Sequence, residues 1–224
     1  MLSRSEEDHI KAVHALVQEG KAAGTKDVAD RLGTKASSVT VMLKKLAAKG
    51  LLRHEPYYGA TLTAKGRTFA LKLVRNHRLW ETFLVQRLGF GWDEVHDLAE
   101  QLEHVRSTEL TDRLSAFLGH PEFDPHGDPI PDPQGRLPKR RSLPLGECPP
   151  GSRVRLVAVK DGSDTLLQLL GQKGLRIGMH MKVAARESFD ASMEVVIGRS
   201  TRQVLSRQVA AQLLVEPAVP AKPK

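Results

Sequence analysis

Residues 27–67, DVADRLGTKASSVTVMLKKLAAKGLLRHEPYYGATLTAKGR, contain the pattern that decides the fold of this chain. Apolar residues recur at helical spacing over 27–32 and again over 37–49, with Gly33 in the turn between them. The segments 51–55 and 60–63 then flank PYYG, which is typical of a hairpin turn. Two short helices, a tight turn and a hairpin form the outline of a winged helix-turn-helix domain.

The second helix of this segment contains the residues that we predict to contact double-stranded DNA. Small side chains allow the N-terminus of a helix to approach phosphates, and its free backbone N–H groups favour anions. This helix has no Arg, Asn or Gln for bidentate recognition of bases, so the pattern indicates phosphate contacts instead. The predicted contact residues are Lys35, Ser37, Ser38, Thr40 and Lys44.

Helical patterns continue on both sides of this segment. Ser3 and Glu6 have the spacing of a capping box, and apolar residues follow at helical intervals until Gly20. After the hairpin, the pattern predicts a long helix over 64–88 and shorter helices over 92–104 and 107–118. The fold class is therefore mainly α with a small β part.

The charges are divided between two consecutive blocks of a chain whose net charge is +8. Residues 1–75 hold 14 Lys/Arg and 7 Asp/Glu, a local net charge of +7. Residues 76–120 hold 4 Lys/Arg, 8 Asp/Glu and four of the nine histidines. The basic block favours a polyanionic partner. Each block also fits an ordinary solvated surface, so charge alone leaves both interpretations open.

Histidine and glutamate form stripes on two consecutive predicted helices. His77 and Glu81 are four residues apart and project from one helix face. In the next helix the spacing i, i+4, i+7, i+8 again defines one stripe, which consists of His96, Glu100, Glu103 and His104. Burying such stripes is costly unless a cation neutralises them, so the pattern favours a metal site. A solvated polar face is the alternative.

The second half of the chain begins with a segment dense in proline. Nine of the thirteen prolines lie between residues 121 and 150, and such density sustains neither a helix nor a central strand. We expect a linker or extended arm over 121–145. Short strands over 154–159, 181–186, 193–198 and 203–208, with a helix near 164–171, then predict a small β-barrel over 146–217. Residues 218–224 are expected to form a flexible tail.

Other features exclude several classes of protein. The single cysteine, Cys148, allows no intrachain disulfide, which fits a reducing cytosol. The first residues, MLSRSEEDHIK, lack the apolar region of a secretory signal. No segment approaches the roughly 18 apolar residues that cross a bilayer. We therefore expect a cytoplasmic protein with no membrane partner.

The segment NHRLWETFLVQRLGFGWDEVHDLAEQLEH (76–104), with SEEDHI (5–10) and GLLRHEPYYGATLTAKGR (50–67), resembles the diphtheria toxin repressor/manganese transport regulator family. The resemblance runs from about Ser3 to Leu118. Its longer members have a comparable Pro-rich stretch and a last domain of the Src-homology-three-like, ferrous iron transport protein A (FeoA) type. The resemblance therefore implies a DNA-binding domain over 1–75, a metal-binding and dimerisation domain over 76–120, and a FeoA-like barrel.

The same resemblance implies two metal sites. The primary site of the family falls on Asp8, Glu100, Glu103 and His104. The ancillary site falls on His77, Glu81 and His96, with Asp161 or Asp164 of the barrel as a further ligand. Lys11 stands where short manganese sensors have an acidic ligand, which favours two separated sites over a binuclear one.

The metal is predicted from the ligand types. Iron-sensing members of the family tend to have sulfur ligands where this chain has Asp8 and Glu100. A set of oxygen and imidazole ligands suits Mn(II) instead. Fe(II) is the alternative. The resemblance implies a homodimer, formed through 92–104 and 107–118, that binds a palindromic operator when metal is present. Two rivals stay open: a winged-helix regulator that senses a small organic ligand, and a di-iron enzyme of the helical-bundle type. No catalytic residue is predicted.

Overall fold

The computed structural model describes residues 2–55, 58–160, 162–198 and 200–218. The helices are α1 (Arg4–Gln18), α2 (Thr25–Leu32), α3 (Ala36–Ala48), α4 (Ala64–Leu88), α5 (His96–Leu102), α6 (Thr108–Phe117), α7 (Asp164–Gln172) and α8 (Arg207–Gln212). The strands are β1 (Leu52–Glu55), β2 (Gly59–Leu62), β3 (Leu143–Pro144), β4 (Arg153–Val159), β5 (His180–Arg186), β6 (Met193–Ile197), β7 (Thr201–Leu205) and β8 (Leu213–Pro217).

The N-terminal part has the predicted helix-turn-helix and hairpin. The capping box at the start of α1 is confirmed, because the Ser3 hydroxyl accepts from the Glu6 amide and the Glu6 carboxylate accepts from the Ser3 amide. Gly33 ends α2 in the left-handed conformation, at φ 59°, which glycine adopts without strain. Strands β1 and β2 pair antiparallel, and Pro56 and Tyr57 of the connecting turn lie outside the described residues.

One apolar core holds this N-terminal part together. Buried side chains of α1, α2, α3 and the hairpin meet there, among them Ile10, Val13, Val28, Leu43, Leu46 and Leu52. Removing such a side chain costs about 2–5 kcal/mol, because the transfer energy is lost and a cavity remains. The core therefore holds the two helices of the helix-turn-helix in one orientation relative to α1.

Helix α4 connects the winged helix to the rest of the molecule. Its bounds agree with the predicted ones, because Thr63 caps its N-terminus and Gly89 ends it in the left-handed conformation. Helix α5 is shorter than predicted and covers only His96–Leu102. Residues 92–95 form turns instead, and the Glu94 carboxylate accepts from the Gly91 amide at 2.8 Å. Glu103 and His104 therefore lie just beyond the helix and not on a continuous helical stripe.

The Pro-rich segment is an ordered arm that follows the surface of α4. It has no helix or strand over 119–142, yet Arg75 donates to the Pro131 carbonyl at 2.8 Å and Arg78 to the Pro129 carbonyl at 2.5 Å. Farther along, the Arg140 guanidinium stacks 3.3 Å from the ring centroid of Phe123. The contacts of Arg75 and Arg78 attach the arm to α4, whereas the contact between Arg140 and Phe123 lies within the arm.

The C-terminal part is an antiparallel sheet with strand order β3-β8-β4-β5-β6-β7. The expected closed barrel is wrong, because β3 and β7 are the two edges and do not pair with each other in the described part of the chain. Helix α8 lies between them and contacts β3, β7 and β8. Side-chain packing of α8 thus takes the place of the hydrogen bonds that would close a barrel. The sequence patterns also missed β3, β8 and α8.

Among the described residues, no helix is both long and apolar enough to span a bilayer.

Candidate metal centre

The first group of ligand-type residues joins α4 to the start of α5. His77 and Glu81 lie one turn apart on α4, and His77 Nε2 is 2.9 Å from Glu81 Oε1 and 3.2 Å from His96 Nδ1. His77 and Glu81 are buried, whereas His96 is exposed. One ligand atom from each residue lies within 4.8 Å of the others, so a single ion can reach all three.

The second group joins α1 to the residues that follow α5. His104 Nε2 lies 3.2 Å from Asp8 Oδ1 and 3.9 Å from Glu103 Oε1. The ligand atoms of Asp8, Glu103 and His104 are again within 4.8 Å of one another. Asp8 is 96 positions from His104 in the chain, so packing of α1 onto the helical part forms this group.

Glu7 fixes the orientation of the His104 ring. The Glu7 carboxylate lies 2.6 Å from His104 Nδ1, which leaves Nε2 directed at Asp8. A carboxylate behind a ligating histidine sets the tautomer of the ring and raises the basicity of the other nitrogen. Glu7 was not predicted from the sequence. Its position immediately before the predicted ligand Asp8 was the feature that could have indicated its role.

A third group contains two residues from the Pro-rich arm. Glu81, Asp124 and His126 are all buried, and their ligand atoms lie within 4.8 Å of one another. His126 Nδ1 is 3.7 Å from Glu81 Oε2, and His126 Nε2 donates to the Trp92 carbonyl at 2.6 Å. Asp124 and His126 were not predicted from the sequence, because the density of prolines indicated only a linker or extended arm.

Burial and close partners perturb the pKa of several of these groups. Burial, together with the charges of Glu81 and Asp128, raises the pKa of Asp124 to about 7. Burial acts against protonation of His126, but its hydrogen bond to Glu81 outweighs this and raises its pKa to about 9. Burial would raise the pKa of Glu81, yet hydrogen bonds from His126, His77 and His96 hold it well below its usual value. The buried carboxylate of Glu81 is therefore stabilised by hydrogen bonds from three histidines.

The donor atoms fit a hard or borderline divalent cation. All three groups consist of carboxylate oxygens and imidazole nitrogens, which suit Mn²⁺ and Fe²⁺. The one thiol, that of Cys148, lies in the core of the C-terminal sheet. Because metal ligands must be neutral imidazoles and ionised carboxylates, a divalent cation bound here would release protons from these groups.

Two predicted ligands, Glu100 and Asp164, lie outside these groups. Glu100 is about half exposed, and its Oε1 lies 3.5 Å from Lys11 Nζ and 3.6 Å from His96 Nε2. Asp164 is the exposed first residue of α7 and belongs to none of the groups found in the described part of the chain. Asp161 lies outside the described residues. Lys11 lies between the first and second groups, 3.2 Å from His77 Nδ1 and 2.6 Å from Glu103 Oε2.

The predicted DNA-contacting residues lie on and just before α3. Lys35, Ser37, Ser38 and Lys44 are exposed, and Lys35 is the residue that precedes the helix. Thr40 is half-buried, and its hydroxyl donates to the Ala36 carbonyl at 3.0 Å. The helix therefore presents one lysine and two serines at its N-terminus, with a second lysine about two turns farther on.

Two other lysines of α3 contact α1 instead. Lys49 Nζ lies 2.5 Å and Lys45 Nζ 3.1 Å from Glu6 Oε1. The hydrogen bond from Lys49 is the main reason that the pKa of Glu6 is lowered to about 2. Glu6 thus connects α3 to the first turn of α1, next to Glu7 and Asp8.

Three family profiles cover most of the chain. The profile described as the N-terminal DNA-binding domain of iron-dependent repressors matches residues 1–60. The profile of the metal-binding and dimerisation domain of the same repressors matches residues 63–132. A FeoA domain profile matches residues 143–217.

Individual relatives agree with these profiles. The iron-dependent repressor IdeR of Mycobacterium bovis is 33% identical over 158 residues, which cover 67% of this chain and 69% of the relative. The regulator MntR of Lysinibacillus sphaericus is 35% identical over 125 residues, 56% of this chain and 89% of that protein. A solved manganese-dependent transcriptional repressor in complex with manganese is 36% identical, with a TM-score of 0.83. The superposition covers 95% of this chain and 100% of that chain.

A winged-helix domain joined to buried carboxylate–histidine groups defines the class of metal-dependent transcriptional regulators. The chain belongs to the iron-dependent repressor family, which includes the diphtheria toxin repressor and the manganese regulators.

Proposed function

We propose that this chain is a transcriptional repressor that Mn(II) activates, with Fe(II) as the alternative metal. One observation carries the proposal: Asp8 of α1 shares a ligand group with Glu103 and His104, which follow α5. A divalent cation held by these residues joins the DNA-binding part to the helical part. Because the cation binds the joined arrangement better, it shifts the population toward that arrangement.

The first turn of α1 can transmit this change to the DNA-binding helix. Asp8 and Glu7 both contact His104, and Glu6, in the same turn, contacts Lys45 and Lys49 of α3. Holding Asp8 and His104 together therefore also limits the movement of α3. The residues Lys35, Ser37, Ser38, Thr40 and Lys44 are proposed to contact the phosphates of double-stranded DNA.

A homodimer is part of the proposal. Large apolar side chains are exposed at the end of α4 and along α6, namely Leu88, Phe90, Leu110 and Phe117. Leu114 and Leu118, by contrast, pack inside the chain against Leu79 and Ile130. An exposed apolar face of this kind is typical of an isologous interface, and two-fold symmetry predicts an operator with inverted half-sites.

The site assignments follow the ligand groups. Asp8, Glu103 and His104, with Glu100 beside them, are proposed as one site, and His77, Glu81 and His96 as another. Asp124 and His126 add a third set of donors that shares Glu81. The earlier expectation that Asp161 or Asp164 completes the second site stays a prediction.

DNA binding with and without metal tests the function. Fluorescence anisotropy on an operator fragment should show tight binding with Mn²⁺, a fall to the non-specific level with EDTA, and recovery when Mn²⁺ is restored. The variant Asp8→Asn should lose this response, whereas Asp27→Asn, on α2, should keep it. Equal sequence-specific affinity in Mn²⁺ and in EDTA would contradict the proposal.

Metal content tests the site assignments separately. The Asp124→Asn variant should bind fewer Mn²⁺ ions, or bind them more weakly, than the parent at equal protein concentration. The matched variant Asp128→Asn changes a neighbouring carboxylate that belongs to none of the ligand groups among the described residues. If both variants take up metal like the parent, Asp124 is not a ligand.

A further inference from the structure

Val41 is a large apolar side chain that is exposed on the helix proposed to bind DNA. It lies in the middle of α3, and 68% of its surface is accessible to solvent. The buried residues of the same helix are Val39, Leu43 and Leu46. At about 100° per residue, Val41 points about 190° away from their mean direction. Val41 therefore lies at the centre of the outward face of α3, opposite the core.

Exposed polar side chains lie on both sides of Val41. Ser37 and Lys44 are on one side of the outward face, and Ser38 is on the other. In a helix that lies in the major groove, the borders of the outward face are nearest to the phosphate backbones, whereas its centre faces the edges of the bases. Val41 is thus directed at base pairs when its polar neighbours contact phosphates.

The chemistry of the side chain selects one group on the floor of the groove. Valine has no side-chain donor or acceptor, and the methyl group that the major groove of B-DNA presents is the C5-methyl of thymine. Because valine is branched at Cβ, its rotamer is restricted in a helix, and little side-chain entropy is lost when it makes a contact. A base edge with unpaired donors or acceptors against Val41 would lose water without gaining a hydrogen bond, which is costly.

We propose that Val41 recognises a thymine in each half-site of the operator through van der Waals contact with the C5-methyl group. This rests on the proposed function and adds a base-specific contact to the proposed phosphate contacts. Single exposed apolar residues are common on protein surfaces. Val41 differs from them because it is the centre of a face whose lysine and serine side chains favour DNA. The partner is therefore duplex DNA with a thymine at a fixed position of each half-site.

The probe for this proposal is the DNA fragment that the parent chain selects from a randomised pool in the presence of Mn²⁺. Each thymine of the half-site is replaced in turn with uracil, which removes only the C5-methyl group. At one position this should weaken binding about fourfold per half-site, as expected for the loss of one buried methyl group. Replacing that thymine with 5-methylcytosine should give tighter binding than replacing it with cytosine, because the methyl group is then retained. Fluorescence anisotropy measures each affinity.

Two variants test whether Val41 makes this contact. Val41→Ala removes two methyl groups and introduces a strong helix former, so α3 should stay folded. With this variant, the thymine and uracil fragments should bind equally. Val204→Ala is the matched control, because Val204 is also an exposed valine, at 61%, but lies on β7 of the C-terminal sheet. It should keep the full preference of the parent for thymine over uracil.

The outcomes distinguish this inference from the proposed function. If the pool yields no preferred sequence, if uracil is tolerated at every thymine, or if Val41→Ala keeps the preference for thymine, Val41 does not recognise a thymine methyl group. Activation by Mn²⁺ is measured separately, on the parent with and without EDTA. If the preference depends on Val41 but the parent binds its fragment equally well in EDTA, the inference holds and the proposed function fails.

Discussion

Two glutamates each direct their carboxylate oxygens at different ligand groups. Glu81 Oε1 lies 2.9 Å from His77 Nε2, and its Oε2 lies 3.7 Å from His126 Nδ1. Glu103 has the same arrangement between His104 and His77. An ion bound through one oxygen would draw electron density from the other, so we expect occupancy of one group to change the metal affinity of the next. The three groups therefore form one connected electrostatic unit.

At the scale of single residues, Glu7 offers the sharpest test of how His104 is held. Replacing Glu7 with Gln exchanges a charged acceptor at His104 Nδ1 for a weaker neutral one. Loss of such a carboxylate behind a ligand typically costs about 10–100-fold in metal affinity. We expect calorimetric titration of Glu7→Gln with Mn²⁺ to show a loss of at least about tenfold.

The matched control for this test is Glu19→Gln. Glu19 pairs with Lys21 and Arg31 at the other end of α1, away from the ligand groups. Its variant should keep the affinity of the parent. Equal Mn²⁺ affinity in Glu7→Gln and Glu19→Gln would mean that the contact with Glu7 does not position His104.

At the scale of elements, the first turn of α1 has three successive carboxylates with separate tasks. Glu6 contacts α3, Glu7 supports His104, and Asp8 belongs to the ligand group. Successive residues of a helix lie about 100° apart, so three neighbours point in three directions. One helical turn thus contacts both the DNA-binding helix and the metal centre.

The contact between Glu6 and α3 predicts a pH-dependent contribution to stability. The pKa of Glu6 is about 2 in the folded chain, below its ordinary value of 4.5. A carboxyl whose pKa is lowered by folding stabilises above its unfolded pKa, and this contribution is lost as pH falls from about 4.5 toward 2. Because Lys45 and Lys49 are partly exposed, solvent screening limits the contribution to about 1 kcal/mol.

Glu6→Gln measures this contribution. At pH 7 its free energy of unfolding in urea should be lower than that of the parent by about 1 kcal/mol. The difference should shrink as pH is lowered from 4.5 toward 3, since Glu6 of the unfolded parent then takes up a proton while Glu6 of the folded parent stays ionised. A difference that stays constant between pH 7 and pH 3 would show that the charge of Glu6 is not its source.

Helix α3 has its own prediction. Ser37→Glu combined with Ser38→Glu puts carboxylates beside phosphates and should abolish DNA binding while metal uptake stays intact. Lys44→Ala should weaken binding to all sequences about equally and reduce the slope of log K against log salt by about one. Both are measured by anisotropy over a salt series. DNA binding that neither change affects would mean that another surface contacts DNA.

At the scale of the whole molecule, the Pro-rich arm connects the metal centre to the C-terminal sheet. His126 contacts the Trp92 carbonyl on one side, and its own carbonyl accepts from the Val159 amide of β4 at 3.0 Å on the other. Trp92, whose ring stacks on that of His126, packs against the core of the sheet. The candidate ligand His126 is thus held by contacts on both sides.

Gly127 makes this junction sensitive to a single methyl group. A Cβ at this residue would overlap the Val157 carbonyl and Ala158, and its φ is +90°. Gly127→Ala should therefore push the arm off the sheet, lower the Tm, and weaken the metal site that contains His126. We expect calorimetry and thermal unfolding to show both effects in the same variant.

Gly135→Ala is the matched control, because its φ of +78° imposes a similar backbone strain. Its Cβ would meet only the flexible end of Leu71, at 3.2 Å. It should lower the Tm less than Gly127→Ala and leave metal binding unchanged. If the two variants behave alike, backbone strain and not the contact with the sheet explains the effect.

Structural features that depend only on residues close together in the chain could be predicted from the sequence. The bounds of α4, the capping box of α1 and the pairing of β1 with β2 follow from local hydrogen bonds and apolar periodicity. The spacing of His77 and Glu81 places them on one helix face for the same reason. The position of Asp8 beside His104 was available only through the family resemblance, since no local rule connects residues 96 positions apart.

Only the tertiary structure decided the rest. Asp124 and His126 become candidate ligands because the arm packs on α4. A high density of prolines predicts only that a segment lacks helices and strands, and it does not predict which residues the segment contacts. Lys11 enters the centre because α1 docks against α4 and α5, and the sheet stays open because α8 lies between its edges. In each case the contact joins side chains from segments that are far apart in the chain. Such contacts depend on how the helices, the arm and the sheet pack together, and local sequence patterns do not predict this packing.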